Sequence, residues 1–81
     1  MKLQTAIKKL SKLTKVEKNG GVYSGRINNN VVEFMACNSR EEDTSITCIR
    51  VRGIKDEDDN MTDYFAGVWC NNLSQAIKMA S

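Results

Sequence analysis

The stretch from Val22 to Cys37, which reads VYSGRINNNVVEFMAC, decides the fold. Before this stretch the apolar residues recur with the period of a helix, whereas within it the period is two. Residue types that favour strands are frequent from Val22 to Ile27 and from Val31 to Cys37. The three asparagines between them, residues 28–30, tolerate the left-handed backbone of a tight turn. The stretch therefore predicts two antiparallel strands joined as a β-hairpin.

The residues before the hairpin predict an amphipathic helix. Leu3, Ala6, Ile7, Leu10 and Leu13 recur at steps of three and four residues, so they share one helical face. We expect the helix to end between Thr14 and Lys18, before the helix breaker Asn19-Gly20-Gly21. Its opposite face consists of lysines, among them Lys2, Lys8, Lys9, Lys12 and Lys15.

The residues after the hairpin predict two further strands and a second helix. Asn38 to Thr44 is a polar loop, Ser45 to Ile54 a strand rich in β-branched residues, and Met61 to Cys70 a fourth strand. Asn71 or Asn72 then caps a short helix that carries Leu73, Ala76, Ile77 and Ala80 on one face. With 81 residues and no internal repeat, we expect residues 1–81 to form one small domain.

This order predicts a two-layer α+β domain, α-β-β-β-β-α. We expect an antiparallel four-stranded sheet with both helices packed on one face. In the third strand, Ile49 and Val51 alternate with Arg50 and Arg52. If the apolar pair points to the helices, the two arginines lie on the open face of the sheet, where Arg26 joins them.

The composition excludes several classes of function. The chain has no histidine, which removes the usual catalytic base and the commonest metal ligand. Its three cysteines, Cys37, Cys48 and Cys70, form no C-x-x-C pair, and we expect them to be small buried hydrophobic residues. We therefore expect no enzyme, no metal site and no cofactor. Without a membrane span or a secretory signal, we expect a cytoplasmic protein.

The charge is distributed unevenly along the chain. Residues 1–40 have eight basic and two acidic side chains, a net charge of +6, whereas residues 41–81 have four and eight, a net charge of −4. Basic side chains neutralise nucleic-acid phosphates, which makes a nucleic-acid-binding accessory protein one hypothesis. The alternative is a solvated helix face and arginines that pair with acidic loops. The nucleic-acid hypothesis rests on Lys8, Lys9, Lys12, Lys15 and Arg26, with Arg50 and Arg52.

The acidic stretch from Asp56 to Asn60, followed by Asp63, resembles the start of a calcium loop, but Met61 and Gly67 stand where that loop needs a glycine and a glutamate. A solvated turn and a negative surface that imitates a phosphate backbone are its other interpretations.

The neighbouring aromatic residues are Tyr64, Phe65 and Trp69. They form either the core beneath the last helix or an interface anchor.

The segment DDNMTDYF at residues 58–65, followed by NLSQAI at residues 72–77, resembles the ending of small uncharacterised proteins and appended domains of bacteriophages and other mobile elements. This resemblance covers about a quarter of the chain. It implies a viral protein that acts in the cytosol of a host bacterium.

Together, origin and charge predict a small non-enzymatic protein that binds a host macromolecule stoichiometrically, such as a host factor or a defence complex. A homodimer through an exposed edge strand is a further alternative. The residues that we expect to contact a protein partner are Arg50, Arg52, Asp56, Asp58, Asp59, Asp63 and Tyr64.

Overall fold

The computed structural model describes residues 1–53 and 67–81. The described chain contains the helices α1 (Leu3–Ser11) and α2 (Leu73–Ala80) and the strands β1 (Val16–Asn19), β2 (Val22–Ile27), β3 (Asn30–Ala36), β4 (Ile46–Gly53) and β5 (Val68–Trp69). The strands form one antiparallel sheet in chain order. The prediction of an α+β fold with two helices and an antiparallel sheet is confirmed. The prediction of four strands is wrong, because the described residues alone form five.

The additional strand, β1, lies where we expected the end of the first helix and the start of the helix breaker. Helix α1 ends at Ser11, and Val16–Asn19 pairs with β2 instead. Gly20 and Gly21 join the two strands with φ angles of +61° and +87°, which suit a two-residue hairpin turn. Leu13, which we expected on the buried helix face, lies beyond the helix end and is 57% exposed.

The remaining predicted elements are present with small differences in length. Strand β3 begins at Asn30, one residue before the predicted start, because Asn28 with its φ of +55° and Asn29 suffice for the turn. Strand β5 contains Val68 and Trp69, whereas residues 61–66 of the predicted strand lie outside the described part. Helix α2 begins after Asn72, whose side chain accepts a hydrogen bond from the backbone nitrogen of Gln75, as the sequence predicted.

The beginning of the chain is attached to the loop between β3 and β4. The backbone nitrogen of Leu3 donates to the carbonyl oxygen of Thr44 at 2.7 Å, and that of Ile46 donates to the carbonyl oxygen of Met1 at 3.0 Å. Helix α1 has no side-chain cap at Lys2, so the Thr44 carbonyl satisfies one of its free N–H groups instead. Lys2 also forms an ion pair with Asp43, 3.4 Å apart, which joins the basic and the acidic halves of the sequence.

One hydrophobic core joins the helices to the sheet. Its largest fully buried side chains are Phe34, Leu10, Leu73, Val32 and Val51, which come from both helices and the two central strands β3 and β4. The side chain of Lys9 donates a hydrogen bond to Ser74 and connects α1 to α2.

The expectation of three buried cysteines is wrong for two of them. Cys37 and Cys48 are exposed, and Cys70 is half-buried. Cys37 directly follows the end of β3. Cys48 has a φ of +53° at an irregularity in the pairing of β3 with β4, where an extra residue of β4 forms a bulge.

Candidate binding surface

Alternation along the strands separates two sheet faces. A Cβ atom on Gly25 would lie 3.0 Å from a Leu10 methyl group, so this residue of β2 faces α1. Val32 on β3 and Val51 on β4 belong to the same core, and therefore their sequence neighbours point to the opposite side. We call this opposite side the arginine face; its residues are Val22, Ser24, Arg26, Val31, Glu33, Met35, Arg50, Arg52 and Trp69.

The centre of the arginine face is a cluster of three charged side chains. The Glu33 Oε1 atom accepts a hydrogen bond from Arg50 Nη2 at 3.0 Å and another from Arg52 Nε at 2.6 Å. The side chain of Glu33 is 11% exposed, whereas those of Arg50 and Arg52 are 37% and 40% exposed. One carboxylate thus holds two arginines, and the cluster retains a net charge of +1 at the surface.

This arrangement confirms that Arg50 and Arg52 share a face, but Glu33 was not among the predicted site residues. We expected any intramolecular partner of the arginines in the acidic loops, whereas Glu33 lies on the adjacent strand and pairs with Arg50 in register. A signal was present in the sequence. Glu33 is the only charged residue of VVEFMA, and a charge in an apolar central strand requires a partner.

Trp69 extends the cluster to β5, the last strand of the sheet that residues 1–53 and 67–81 form. It pairs in register with Arg50, whose guanidinium lies 5.7 Å from the centroid of the Trp69 ring, within the range of a cation–π contact. The residue is 67% exposed. The interpretation of the aromatic cluster as buried core is therefore wrong for Trp69, while Tyr64 and Phe65 lie outside the described residues.

Beside Trp69, the arginine face has a shallow apolar depression of about 110 Å³. Met35, which is 38% exposed, lines it together with Val22 and Cys48. Exposed apolar side chains beside a tryptophan and an arginine are typical of the centre of a protein interface.

The structure divides the predicted basic set between two surfaces. Lys8 is exposed on α1, Lys12 is exposed directly after the end of α1, and Lys9 is half-buried against α2. Lys15 follows α1 and joins Arg26 and Arg52 around a pocket of about 320 Å³ at the beginning of β1. The helical lysines consequently lie on the side of the sheet that faces away from Arg50.

The other predicted partner-binding residues, Asp56, Asp58, Asp59, Asp63 and Tyr64, lie outside the described residues. Within residues 1–53 and 67–81, no group of three or more cysteine or acidic side chains is placed to hold a metal ion. In the same part of the chain, neither helix has the length and apolar character needed to cross a membrane.

Cys70 follows the exposed Trp69 and turns the chain back toward the core. Its backbone nitrogen donates to the Ile49 carbonyl oxygen at 2.8 Å, and its side chain packs against the hydrophobic core. This burial raises the pKa of the Cys70 thiol, so the thiol remains protonated near neutral pH.

Comparison of the chain with protein-family models, with curated proteins and with solved structures found no match.

Proposed function

We propose that this protein is a non-enzymatic, virus- or mobile-element-encoded binding protein that acts stoichiometrically on a protein or protein complex of its bacterial host. Both helices cover one face of the sheet, and the arginine face is the contact surface. The observation that carries this proposal is the exposed Trp69 in contact with Arg50, which Glu33 in turn holds in place.

The geometry supports binding because the contact side chains are ordered before a partner arrives. Tryptophan and arginine contribute the most energy at protein interfaces, and much of the cost of binding is the loss of side-chain freedom. Arg50 is held by Glu33 on one side and contacts Trp69 on the other, so less of that freedom remains to be lost. The absence of histidine from the chain also favours binding over acid–base catalysis.

The test is capture of a host protein by immobilised wild-type protein and by variants, from a bacterial lysate. Trp69→Ala and Arg50→Gln remove the proposed contacts. Met79→Ala and Lys12→Gln are matched controls, because they remove an exposed apolar side chain and a positive charge from the helices. We expect Trp69→Ala and Arg50→Gln to reduce capture of the same protein at least tenfold, and the controls to retain it. Equal capture by all variants would refute the proposal.

The acidic residues are tested in the same assay. If the negative surface at residues 56–63 imitates a phosphate backbone, Asp58→Asn and Asp59→Asn should abolish capture while Arg50→Gln retains it. That result would assign the contact to the acidic segment instead of the arginine face.

A nucleic-acid-binding accessory protein is the second candidate. It is favoured by Arg26 and Arg52, which lie on the same sheet face as Trp69, and by Lys15, which lines one pocket with these two arginines. A basic groove beside an exposed aromatic ring suits single strands, because phosphates bind the cations and a base stacks on the ring.

Trp69 is the only tryptophan of the chain, so its fluorescence reports directly on this candidate. The measurement is quenching by single- and double-stranded DNA and RNA at about 50 and about 200 mM salt. Binding that weakens by orders of magnitude between these concentrations would support the candidate. No quenching at the lower salt concentration would exclude it.

A further inference from the structure

The pocket at the beginning of β1 has the features of an anion site. It measures about 320 Å³, and its lining includes the side chains of Lys15, Arg26 and Arg52, together with Ser24 and Glu17. We propose that this pocket binds a phosphate group. This inference is independent of a host protein on the arginine face, because the pocket can be tested with a small anion alone.

Two of the three positive charges around the pocket are not neutralised by any described residue, whereas Arg52 is paired with Glu33. Within residues 1–53 and 67–81, Lys15 and Arg26 form no ion pair. In the same residues, Arg26 makes one long hydrogen bond, 3.4 Å from Nε to the Asn28 carbonyl oxygen. A cation that lacks an intramolecular partner at a concave surface attracts anions more strongly than a paired one.

The ion pair with Glu33 draws the Arg52 side chain toward β3, the strand that lies between Arg52 and the strand of Arg26. The Arg52 Nε atom donates to Glu33 Oε1 at 2.6 Å, and among the described contacts this is the only hydrogen bond of the guanidinium. The side chain remains 40% exposed. The two terminal nitrogens make no described hydrogen bond, and such a pair of donors matches two oxygens of a phosphate.

The sheet register brings the arginines toward each other. Arg26 and Arg52 both pair with Val31, from opposite sides of β3, so their backbones lie about 10 Å apart. Arginine side chains are long enough to converge over Val31 from that separation. The Ser24 hydroxyl supplies a neutral donor, and Lys15 adds a third positive charge at the edge of the sheet.

Glu17 provides a specific test of phosphate binding, because its negative charge repels an anion that the three positive charges of the lining attract. The lining carries three positive charges and one negative charge, and Glu33 partly neutralises Arg52 from outside the lining, so the pocket remains net positive and suits a phosphate monoester, whose charge is −1.5 to −2 near pH 7. Removing the Glu17 carboxylate removes a repulsion. The affinity for phosphate should therefore rise in Glu17→Gln, whereas a loss of any of the three cations should lower it.

The experiment is a titration of ¹⁵N-labelled protein with inorganic phosphate at about 50 mM sodium chloride, followed by NMR. We expect saturable shifts of the Arg26 and Arg52 side-chain Nε–H signals and of the backbone amides of Ser24 and Gly25. Arg26→Gln is the cleanest variant, because it leaves the Glu33 cluster intact; it should weaken binding about tenfold. Glu17→Gln should strengthen binding several-fold, and the control Lys12→Gln should change it less than about twofold.

A second arm distinguishes the sources of the phosphate group. If an oligothymidylate displaces inorganic phosphate at a much lower concentration and quenches Trp69, the ligand is a nucleic-acid backbone. If the oligonucleotide binds no more tightly per phosphate than the free ion, the ligand is a small phosphate compound. The proposal is wrong if no saturable shift occurs at Arg26 and Arg52, or if Lys12→Gln weakens binding as much as Arg26→Gln.

Discussion

The guanidinium of Arg50 lies 5.7 Å from the ring centroid of Trp69 and donates, through Nη2, a 3.0 Å hydrogen bond to Glu33. A single side chain thus connects a nearly buried carboxylate to the exposed tryptophan. Removal of Glu33 therefore affects both the stability of the sheet and the environment of the tryptophan.

Glu33→Gln should lower the free energy of unfolding by about 1–3 kcal/mol, because it removes charge-assisted hydrogen bonds to two arginines that then repel each other. Urea unfolding followed by Trp69 fluorescence measures this change. Glu17→Gln is the control: it removes an exposed carboxylate of the same sheet and should change stability by less than about 0.5 kcal/mol. Equal effects of the two variants would contradict the role of Glu33.

Gly25→Ala should destabilise the contact between α1 and β2. An added Cβ atom would lie 2.6 Å from Thr14 Cγ2 and 3.0 Å from Leu10 Cδ2, so the Thr14 side chain or the backbone that carries it has to shift. We expect a loss of about 1–3 kcal/mol in the free energy of unfolding.

The double variant Thr14→Ser/Gly25→Ala tests whether this clash is the cause. It removes the Thr14 methyl group and should recover part of the loss, which a double-mutant cycle would detect as a positive coupling. If the two substitutions change the free energy of unfolding additively, the loss in Gly25→Ala does not come from the contact with the Thr14 methyl group.

Gly20→Asn should stabilise the hairpin between β1 and β2. Gly20 has a φ of +61°, which asparagine adopts readily, and a Cβ atom there would meet nothing within 4 Å. The substitution restricts the unfolded chain, so we expect a gain of about 0.5 kcal/mol and a higher Tm in a calorimetric scan. Gly20→Val, which fits a positive φ poorly, should lower the Tm; a rise would contradict the turn geometry.

The three cysteines should react with iodoacetamide at different rates. Cys37 and Cys48 are exposed, whereas Cys70 is half-buried and its pKa is raised by burial. The thiolate is the reactive form, so at pH 8 Cys70 should be alkylated last, and its rate should still increase at a pH where the rates of fully exposed thiols have levelled off. Peptide mass spectrometry after timed quenching measures the order. Simultaneous modification of all three would contradict the described burial.

The same pKa shift implies a pH dependence of stability. Because the folded state favours the protonated Cys70 thiol, its contribution to stability is fully present below the pKa of the unfolded chain and is lost as the pH rises through the folded-state pKa. Unfolding in urea between pH 7 and pH 10, compared with Cys70→Ala, isolates this contribution. The difference between the two proteins should become smaller as the pH rises.

Local sequence patterns were sufficient to predict those helices and strands that are determined by residues close together along the chain. The apolar spacing of Leu3, Ala6 and Leu10 determined the first helix, and Asn72 marked the start of the second. The alternation of Ile49 and Val51 with the arginines determined which side chains of β4 share a face. Each pattern depends on a fixed backbone period of 3.6 or two residues, which the sequence displays directly.

Tertiary structure decided the features that depend on distant partners. Val16–Asn19 becomes a strand because it pairs with β2 across the Gly20-Gly21 turn, although the lysine pattern alone favours a longer helix. Glu33 meets Arg50 and Arg52 only through the register of β3 with β4. Trp69 meets Arg50 only through the register of β4 with β5, and its side chain is exposed on the arginine face. The sequence by itself thus determined both helices, the strands β2 to β4 and the faces of their side chains, but not strand β1. Register and packing decided which charged and aromatic side chains meet. These residues lie on different strands, far apart along the chain, and no periodic pattern of the sequence relates them.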